Sequence, residues 1–310
     1  MTTLQTGRLP TPCGEQQHGE TLFRCPACRV ALPLRRDGQP VGCHGCRAAF
    51  PVVEEIPLLV KDRAAIERQI EEARRQGRAE WYDASQAQAW TGPYRHHLKK
   101  RVAYLERVLS AYRALRGDGL SLLDLGCGDG ENLRWLSRFA ATCYGSDYHI
   151  VRLRRARQVP GVTQLFLADT TDYPTRDSAF DVIFFNHVLE HIPDDDQALR
   201  EAHRILRPGG LLILGVPNEG AWFWQLAYRL QPQLLKRSDH VHFYTAETVR
   251  RKCRAAGFRV QAVDPIGWGV PHWTLDALIR RFRWVDDALE QVGRRCLRSQ
   301  ATSLYLLLTK

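Results

Sequence analysis

The nine residues Leu122-Leu-Asp-Leu-Gly-Cys-Gly-Asp-Gly130 decide the fold of this chain. An apolar run of strand length ends in glycines at every second position, and a helical pattern follows at once. Glycine lets the backbone turn sharply and approach a ligand, because it has no Cβ atom. Open α/β sheets bind nucleosides at such turns, at the carboxyl ends of parallel strands. The stretch therefore predicts an α/β fold with a nucleoside site at residues 126–130.

The acidic residues of this turn indicate what kind of nucleoside binds there. A pyrophosphate-binding turn has the pattern G-x-G-x-x-G, whereas this turn has G-x-G-x-G with Asp129 and Glu131 beside it. Carboxylates repel a pyrophosphate and suit a ligand that carries an ammonium group. The segment resembles the first motif of class I S-adenosylmethionine-dependent methyltransferases. The resemblance covers most of residues 90–310 and implies a cofactor site that includes Asp124, Gly126, Cys127, Gly128 and Gly130.

Strand and helix patterns alternate from Ser121 onward, which is typical of a parallel sheet. The patterns predict strands near 121–125, 141–146, 163–168, 180–186, 210–216, 258–264 and 302–309, and helices near 131–139, 149–158, 195–207 and 246–256. By the resemblance, these elements form a Rossmann-like, seven-stranded mixed sheet whose last strand runs antiparallel to the others.

Polar residues at the ends of later strands extend the predicted cofactor site. Asp147 ends the second strand, and the resemblance implies that it accepts hydrogen bonds from the ribose hydroxyls; it also suits the cap of the following helix. Tyr148 is expected to lie against the adenine. Asp169 ends the third strand and either faces the adenine amino group or belongs to a surface turn. Asn186 ends the fourth strand, where methyl donor and acceptor are expected to meet.

The hexapeptide Asn186-His-Val-Leu-Glu-His191 contains the predicted catalytic residues His187, Glu190 and His191. Methyl transfer needs alignment more than acid–base chemistry, but a hydroxyl acceptor benefits from a base. His191 is the candidate base, and the alternative is that it only fixes the loop. Some quinone O-methyltransferases have a glutamate three residues before the Glu-His pair and bind a divalent ion. This chain has His187 there, which argues against that metal site.

Two C-x-x-C pairs predict a zinc ribbon near the amino end. Cys25 and Cys28 form one pair, Cys43 and Cys46 form the other, and fourteen residues separate the pairs. Two such turns complete a tetrahedral Zn²⁺ shell with no open position, which describes a structural metal. His44 lies inside the second pair and is expected to face solvent. The segment is similar to the small zinc ribbons attached to bacterial methyltransferases.

The chain divides into segments of different character. We expect a disordered lead at 1–20, the zinc ribbon at 21–60, a helical connector and N-terminal helices at 61–118, and the methyltransferase domain at 119–310 with lid insertions at 217–243 and 265–298. Five of the eight tryptophans fall in the two lids. They fit ordinary packing, a cover over a large apolar or aromatic acceptor, or contact with a membrane surface.

The amino-acid composition limits which binding partners and which cellular compartment fit this chain. The 310 residues are 44% hydrophobic and 25% charged, as in soluble globular proteins. No run of eighteen apolar residues occurs, so no transmembrane helix is predicted. The first twenty residues lack the apolar core of a signal peptide, and nine cysteines indicate reduced thiols, so the predicted location is the cytoplasm. The net charge of +10 favours an anionic partner.

The leading hypothesis is a methyltransferase that modifies oxygen or nitrogen of a small-molecule, lipid-linked or glycan acceptor. The first alternative is methylation of ribosomal or transfer RNA, which the basic charge favours. The second alternative is a non-catalytic scaffold that keeps the fold and uses the zinc ribbon to bind a partner.

Overall fold

The computed structural model describes residues 21–34, 40–75, 86–233 and 240–310, so the predicted lead at 1–20 lies outside it. The strands are β1 Val41–Gly42, β2 Ala49–Phe50, β3 Val52–Val53, β4 Ile56–Leu59, β5 Ser121–Leu125, β6 Thr142–Asp147, β7 Gln164–Ala168, β8 Phe180–Asn186, β9 Leu206–Pro217, β10 Arg259–Ile266 and β11 Ser303–Thr309. The helices are α1 Arg63–Arg75, α2 Arg95–Arg116, α3 Leu133–Leu136, α4 Ile150–Ala156, α5 Asp195–Ile205, α6 Trp222–Leu230, α7 Ala246–Ala255, α8 Trp273–Ile279 and α9 Arg283–Cys296.

One mixed sheet with the order β10-β11-β9-β8-β5-β6-β7-β4-β3 organises the chain. The strands from β4 to β9 pair in parallel where they are neighbours, and β11 runs antiparallel between β9 and β10. The seven strands predicted from the sequence are β5 to β11. The α/β, Rossmann-like fold class is therefore confirmed.

The sheet is larger than the predicted seven strands, because two strands of the amino-terminal segment join its edge. Strand β4 pairs in parallel with β7, with Leu58 opposite Leu167 and Leu59 opposite Ala168, and β3 then pairs with β4. All four residues of β4 are buried, as expected for a strand covered on both faces. The added strands also cover the backbone groups that β7 would otherwise expose at an open edge.

The hydrophobic core continues from the sheet into the amino-terminal segment. Phe23 packs edge-to-face on Phe166 of β7, with ring centroids 5.0 Å apart. The buried cysteines Cys25 and Cys43 belong to the same apolar cluster as the inner residues of β8 and β9. The opposite face of the sheet is covered by α2, whose Leu105 and Leu109 are fully buried.

The predicted helices are present with shifted ends. Helix α5 starts after Asp194, whose carboxylate accepts a hydrogen bond from the Gln197 amide at 3.0 Å. The helix predicted at 131–139 is only the short α3, followed by a 3-10 turn to Phe139. The first lid contains α6, and the second contains α8 and α9. Among the described residues, no helix has both the length and the apolar character needed to span a bilayer.

Candidate functional site

The glycine turn after β5 has the backbone conformation that only glycine adopts without strain. Gly126, Gly128 and Gly130 have φ angles of 80°, 54° and 80°. A Cβ atom on Gly126 would lie 2.3 Å from Cγ2 of Val188, so the turn also passes too close to the next loop for any side chain. The amides of Gly126 and Cys127 both donate to the Ser146 carbonyl of β6 at 2.8 Å.

Asp147 links the glycine turn to the end of β6. Its Oδ2 accepts a hydrogen bond from the Gly128 amide and its Oδ1 accepts one from the His149 amide, both at 2.9 Å. The second contact goes to the amide of His149, which is itself the N-cap residue of α4, so Asp147 does not occupy the capping position of this helix. A carboxylate has about four acceptor sites, so Asp147 retains capacity for further donors.

A cavity of about 630 Å³ opens beside the turn, a volume typical of small-molecule sites. Its wall includes six of the predicted cofactor residues: Gly126, Cys127, Asp147, Tyr148, Asp169 and Asn186. Asp169 also accepts hydrogen bonds from the amide and the hydroxyl of Thr171, at 2.8 and 2.7 Å. Asp169 therefore belongs to a turn and also lines the cavity, so the two predictions made for this residue are compatible.

The other three predicted cofactor residues, Asp124, Gly128 and Gly130, are buried and do not line the cavity. Asp124 is buried in β5, and its Oδ2 accepts no hydrogen bond from any described residue. Burial, and secondly the negative charge of Asp147, raise the pKa of Asp124 well above its usual range. A cation beside this carboxyl group would offset the free-energy cost of ionising it.

The two acidic residues at the glycine turn, Asp129 and Glu131, have different surroundings. Asp129 is buried, accepts a hydrogen bond from the Gln86 amide at 3.0 Å, and lies 3.5 Å from Nη1 of Arg155. It therefore holds the 3-10 turn Gln86–Trp90 over the glycine turn. Glu131, in contrast, lines the cavity.

The predicted catalytic residues lie at the other side of the same cavity. Asn186, His187 and His191 line it, and the Asn186 side-chain carbonyl accepts a hydrogen bond from Tyr305 at 2.6 Å. His187 has a φ of 53°, an uncommon angle for a residue with a Cβ atom. Such backbone strain persists where surrounding contacts hold it, and it clusters at functional sites.

Glu190 is buried below these histidines. His187 Nδ1 lies 3.5 Å and His191 Nε2 3.9 Å from its Oε1. Burial opposes ionisation, but the contact with His187 and the nearby His191 and His240 outweigh it and lower the pKa of Glu190. The carboxyl group is therefore ionised at neutral pH.

Residues of the first lid complete this corner, and sequence reasoning missed them. The rings of His191 and His240 meet edge-to-face with centroids 4.7 Å apart. His240 Nδ1 lies 2.7 Å from Oε2 of Glu219, and Tyr228 donates a hydrogen bond to the same carboxylate. The predicted lid range included these residues, but nothing in the local pattern placed them beside His191.

The four predicted metal ligands of the amino-terminal segment converge. The sulfur atoms of Cys25, Cys28, Cys43 and Cys46 all lie within 4.8 Å of one another. Each pair sits on a matching turn, because the amides of Arg29 and Arg47 donate to the carbonyls of Cys25 and Cys43 at 2.8 and 3.0 Å. His44 is exposed. The donor set is a closed group of four thiols of the kind that structural zinc sites use.

Comparison with known proteins supports the interpretation of the turn. A family model described as a methyltransferase domain matches residues 94–263. An uncharacterized 37.1 kDa transposon protein of Streptomyces fradiae is 32% identical over 53% of this chain and 54% of its own length. The malonyl-[acyl-carrier protein] O-methyltransferase of Geobacter sulfurreducens is 32% identical over 52% of this chain and 63% of its length. The demethylmenaquinone methyltransferase of Mycolicibacterium paratuberculosis is 27% identical over 51% and 71%.

The chain thus spans about half the length of the first of these relatives. The family match covers more than half of the chain and includes the glycine turn, Asp147 and the histidine corner. From this match and the mixed sheet, the chain belongs to the class I S-adenosylmethionine-dependent methyltransferase family.

Proposed function

We propose that this chain transfers a methyl group from S-adenosylmethionine to an oxygen or nitrogen atom of a small, apolar or lipid-linked acceptor. The observation that carries the proposal is the hydrogen bond from the Gly128 amide to Asp147. It fixes the glycine turn and the ribose-binding acid in one place. The same cavity reaches Asn186 and His187, so donor and acceptor have one shared space.

The residues of the donor half fit S-adenosylmethionine. The glycine turn lines the cavity at Gly126 and Cys127, and Asp147 keeps acceptor capacity for the two ribose hydroxyls. Glu131 in the wall supplies negative charge for the ammonium group of the cofactor. The proposed cofactor residues are Asp124, Gly126, Cys127, Gly128, Gly130, Asp147, Tyr148, Asp169 and Asn186.

Methyl transfer breaks the carbon–sulfur bond of the sulfonium, leaves the bonding pair on sulfur, and joins the methyl carbon to the acceptor atom. Alignment of the two reactants in one cavity supplies about 7–11 kcal/mol of the barrier. A hydroxyl acceptor also loses a proton, and the cavity histidines His187 and His191 are the proposed proton acceptors. Glu190 lies within 4 Å of both rings and orients them.

The lids support an apolar or lipid-linked acceptor. On α6, Trp222, Leu226 and Leu230 recur every four residues, and all three are exposed. Helix α8 adds the exposed Leu275 and Leu278, and the hydrogen bond from Gln231 to Thr274 at 3.3 Å joins the two helices. We call these five residues the lid patch. Arg229 in the last turn of α6 adds positive charge beside it, which suits peripheral contact with an anionic membrane.

RNA is the weaker alternative for the acceptor. Four arginines line a groove beside the ribbon. Two of these arginines form ion pairs with neighbouring acidic side chains. Arg29 pairs with Asp172, and Arg204 pairs with Glu201 and Asp177. Two of the relatives are named for demethylmenaquinone and malonyl-[acyl-carrier protein], which are not nucleic acids.

Zinc is the proposed occupant of the four-cysteine site, with a structural role. Because the apolar core is shared between ribbon and sheet, the ion would stabilise the edge of the catalytic sheet as well as the ribbon. Thiolate ligands require a reducing compartment, so we propose that the chain works in the cytoplasm.

Calorimetric titration with S-adenosylmethionine tests the cofactor, and mass spectrometry of products from a quinol, phenol and RNA panel tests the acceptor. We expect one binding site and a mass gain of one methyl group on a non-nucleic-acid acceptor. No heat and no thermal stabilisation by the cofactor would leave only the non-catalytic scaffold. Methylated RNA with unmodified small molecules would establish the RNA alternative instead.

A further inference from the structure

A second cavity, of about 500 Å³, lies where the ribbon meets the loop after β7. We call this cavity the seam groove. Its charged lining residues come from both sides: Arg24 and Arg29 from the ribbon, and Arg176, Asp177, Glu201 and Arg204 from that loop and from α5. Four arginines and only two acidic residues line the seam groove, so it carries an excess of positive charge.

Backbone pairing places two of these arginines on one face. Phe23 and Thr175 form an antiparallel bridge, and the amides of Arg24 and Arg176 donate across it, both at 2.9 Å. Side chains alternate along paired segments and Phe23 packs in the core, so Arg24 and Arg176 point to the opposite face. The two arginines are diagonal neighbours across the bridge, about 7–8 Å apart, so both side chains can reach one ligand.

The other two arginines are held by the protein. Arg29 and Arg204 both donate a hydrogen bond to the Tyr173 carbonyl, at 2.9 and 2.8 Å. Each of them also forms an ion pair with a neighbouring acidic side chain. Their guanidinium groups are therefore fixed at the seam groove, and their charges are partly compensated.

Arg24 and Arg176 lack this compensation. Neither guanidinium group forms an ion pair with an acidic side chain in the part of the chain that the structure describes. Arg176 donates only from Nη1, to the carbonyls of Asp177 and Ser178 at 3.2 Å, and its buried Nε has no partner among the described residues. Both side chains are half-buried, and a charge withdrawn from water is stabilised by a counterion.

We propose that the seam groove binds one phosphate group, free or esterified to a small molecule, with Arg24 and Arg176 as the residues that bind it. The forked N–H donors of a guanidinium group match two phosphate oxygens, so phosphate suits arginine better than a spherical anion does. A phosphate monoester carries about two negative charges near neutral pH, which balance the two uncompensated arginines. Arg29 and Arg204 add positive charge around the same space.

The seam groove fits a single phosphate group better than it fits a nucleic-acid strand. A strand binds through several phosphates at once, whereas only two arginines here are uncompensated. The side chain of Asp177 is 77% exposed at the groove and would repel a continuous row of phosphates.

The seam groove lies apart from the proposed methyl-transfer site. Helix α5 starts after Asp194, which lines the cavity beside the glycine turn, and reaches Arg204 ten residues later. Ten helical residues span about 15 Å, so one small ligand does not fill both sites. Phosphate binding at the seam groove therefore does not depend on S-adenosylmethionine or on the methyl acceptor.

Calorimetric titration of the zinc-loaded full chain tests the site with two probes, inorganic phosphate and glycerol 3-phosphate, at constant ionic strength. We expect one saturable site per chain for the phosphate compounds and none for sodium chloride. Binding of either probe supports the site, and the tighter of the two identifies a free or an esterified phosphate as its occupant. The absence of saturable binding for both probes would overturn the proposal.

Variants assign the binding residues. Arg24→Gln and Arg176→Gln should each weaken phosphate binding about 10- to 100-fold, because each removes charge-assisted hydrogen-bond donors. Arg24→Lys keeps the charge without the fork, so its affinity should lie between those of the wild type and Arg24→Gln. Arg283→Gln is the matched control, because Arg283 on α9 is 80% exposed and lies outside the seam groove. Wild-type affinity in both groove variants, Arg24→Gln and Arg176→Gln, would refute the site.

Three further measurements separate other causes from failure of this inference. Thermal melts identify a variant that is merely unfolded, and the other glutamine variant then still tests the site. Arg24→Gln should bind S-adenosylmethionine with wild-type affinity, because Arg24 does not line the cavity at the glycine turn. Phosphate binding by a chain that fails to bind S-adenosylmethionine would keep the seam groove and reject the methyltransferase activity. Single-stranded RNA that displaces phosphate, with an affinity that falls steeply as salt rises, would replace the small ligand by a nucleic acid and overturn the proposal.

Discussion

Asp147 shows how one carboxylate serves both the shape of the site and the binding of a ligand. Its two oxygen atoms accept hydrogen bonds from the amides of Gly128 and His149. These contacts set the distance between the glycine turn and the entry of α4. The sequence predicted a ribose contact or a helix cap for this residue; the N-cap residue of α4 is His149 instead, and the ribose contact stays a prediction.

Asp147→Asn tests the ribose contact. The amide nitrogen of asparagine cannot accept a hydrogen bond, so a backbone amide or a ribose hydroxyl loses its partner. Hydrogen bonds to charged groups contribute about 1.5–3 kcal/mol, so the Kd for S-adenosylmethionine should rise roughly 10- to 100-fold in calorimetry. Asp118→Asn is the control, because Asp118 is exposed and pairs with Arg113. Equal affinity in both variants would contradict the assignment.

Gly126→Ala tests the glycine turn. The residue has a φ of 80°, and an added Cβ would meet Val188 at 2.3 Å. We expect the free energy of unfolding to fall by about 1–3 kcal/mol in urea titrations, with loss of cofactor binding. Gly42→Ala should leave stability nearly unchanged, since no heavy atom lies within 4 Å of its Cβ position. Wild-type stability of Gly126→Ala would show that the turn tolerates a side chain.

At the scale of elements, the lids combine a polar inner side with an apolar outer side. Glu219, Tyr228 and His240 face the cavity corner, whereas the lid patch on α6 and α8 is exposed to solvent. Exposed apolar patches on folded chains mark interaction surfaces. The same segment therefore connects the proposed acceptor site to the surface for which we propose membrane contact.

Removing apolar groups from the lid patch tests the membrane contact. Trp222→Ala combined with Leu226→Ser should greatly reduce sedimentation with anionic vesicles, because each buried side chain contributes about 1.5–3 kcal/mol. Leu115→Ser is the control: Leu115 is equally exposed but lies near the end of α2, away from the lids. If the wild-type chain does not sediment with vesicles, the acceptor is not presented on a membrane.

His203 on α5 gives a pH prediction. Burial and the charge of Lys310 lower the pKa of His203 below its ordinary value of 6.5. The unfolded chain therefore binds more protons, so this residue removes stability as the pH falls through 6.5. In His203→Gln, the decrease of unfolding free energy between about pH 7 and about pH 5 should be smaller than in the wild type. An identical pH slope in the two proteins would contradict the lowered pKa.

At the scale of the whole molecule, the ribbon and the catalytic sheet form one folded body. Strand β4 pairs with β7, Phe23 packs on Phe166, and the Arg24 amide donates to the Pro174 carbonyl at 2.9 Å. A ribbon in these contacts cannot unfold without exposing the edge of the sheet. Domain boundaries at residues 60 and 118 remain a proposal.

Zinc removal tests this coupling. A thiol-competing chelator, or Cys25→Ser with Cys28→Ser, should lower the melting temperature of the whole chain in a single transition, because metal binding contributes to folding. Metal analysis should find one zinc ion per chain before treatment and none afterwards. A separate early transition, with the main transition unmoved, would show that the ribbon folds independently.

The sequence by itself determined the features that depend on neighbours in the chain. The glycine turn, the C-x-x-C pairs and the alternation of strands and helices are local, because backbone freedom, turn geometry and side-chain period act over a few residues. They predicted the fold class, the seven strands and the residues of the donor half. The roles of those residues stay predictions, which the Asp147 and Gly126 variants test.

Only the tertiary structure decided which distant segments meet. It placed β4 against β7, engaged Asp129 with Gln86 and Arg155, and brought His240 and Glu219 of the lid beside Glu190 and His191. Such contacts depend on how the apolar faces of whole elements pack together. Short sequence patterns carry no information about that packing, so the contacts of Glu219 and His240 with the predicted histidines could not be predicted.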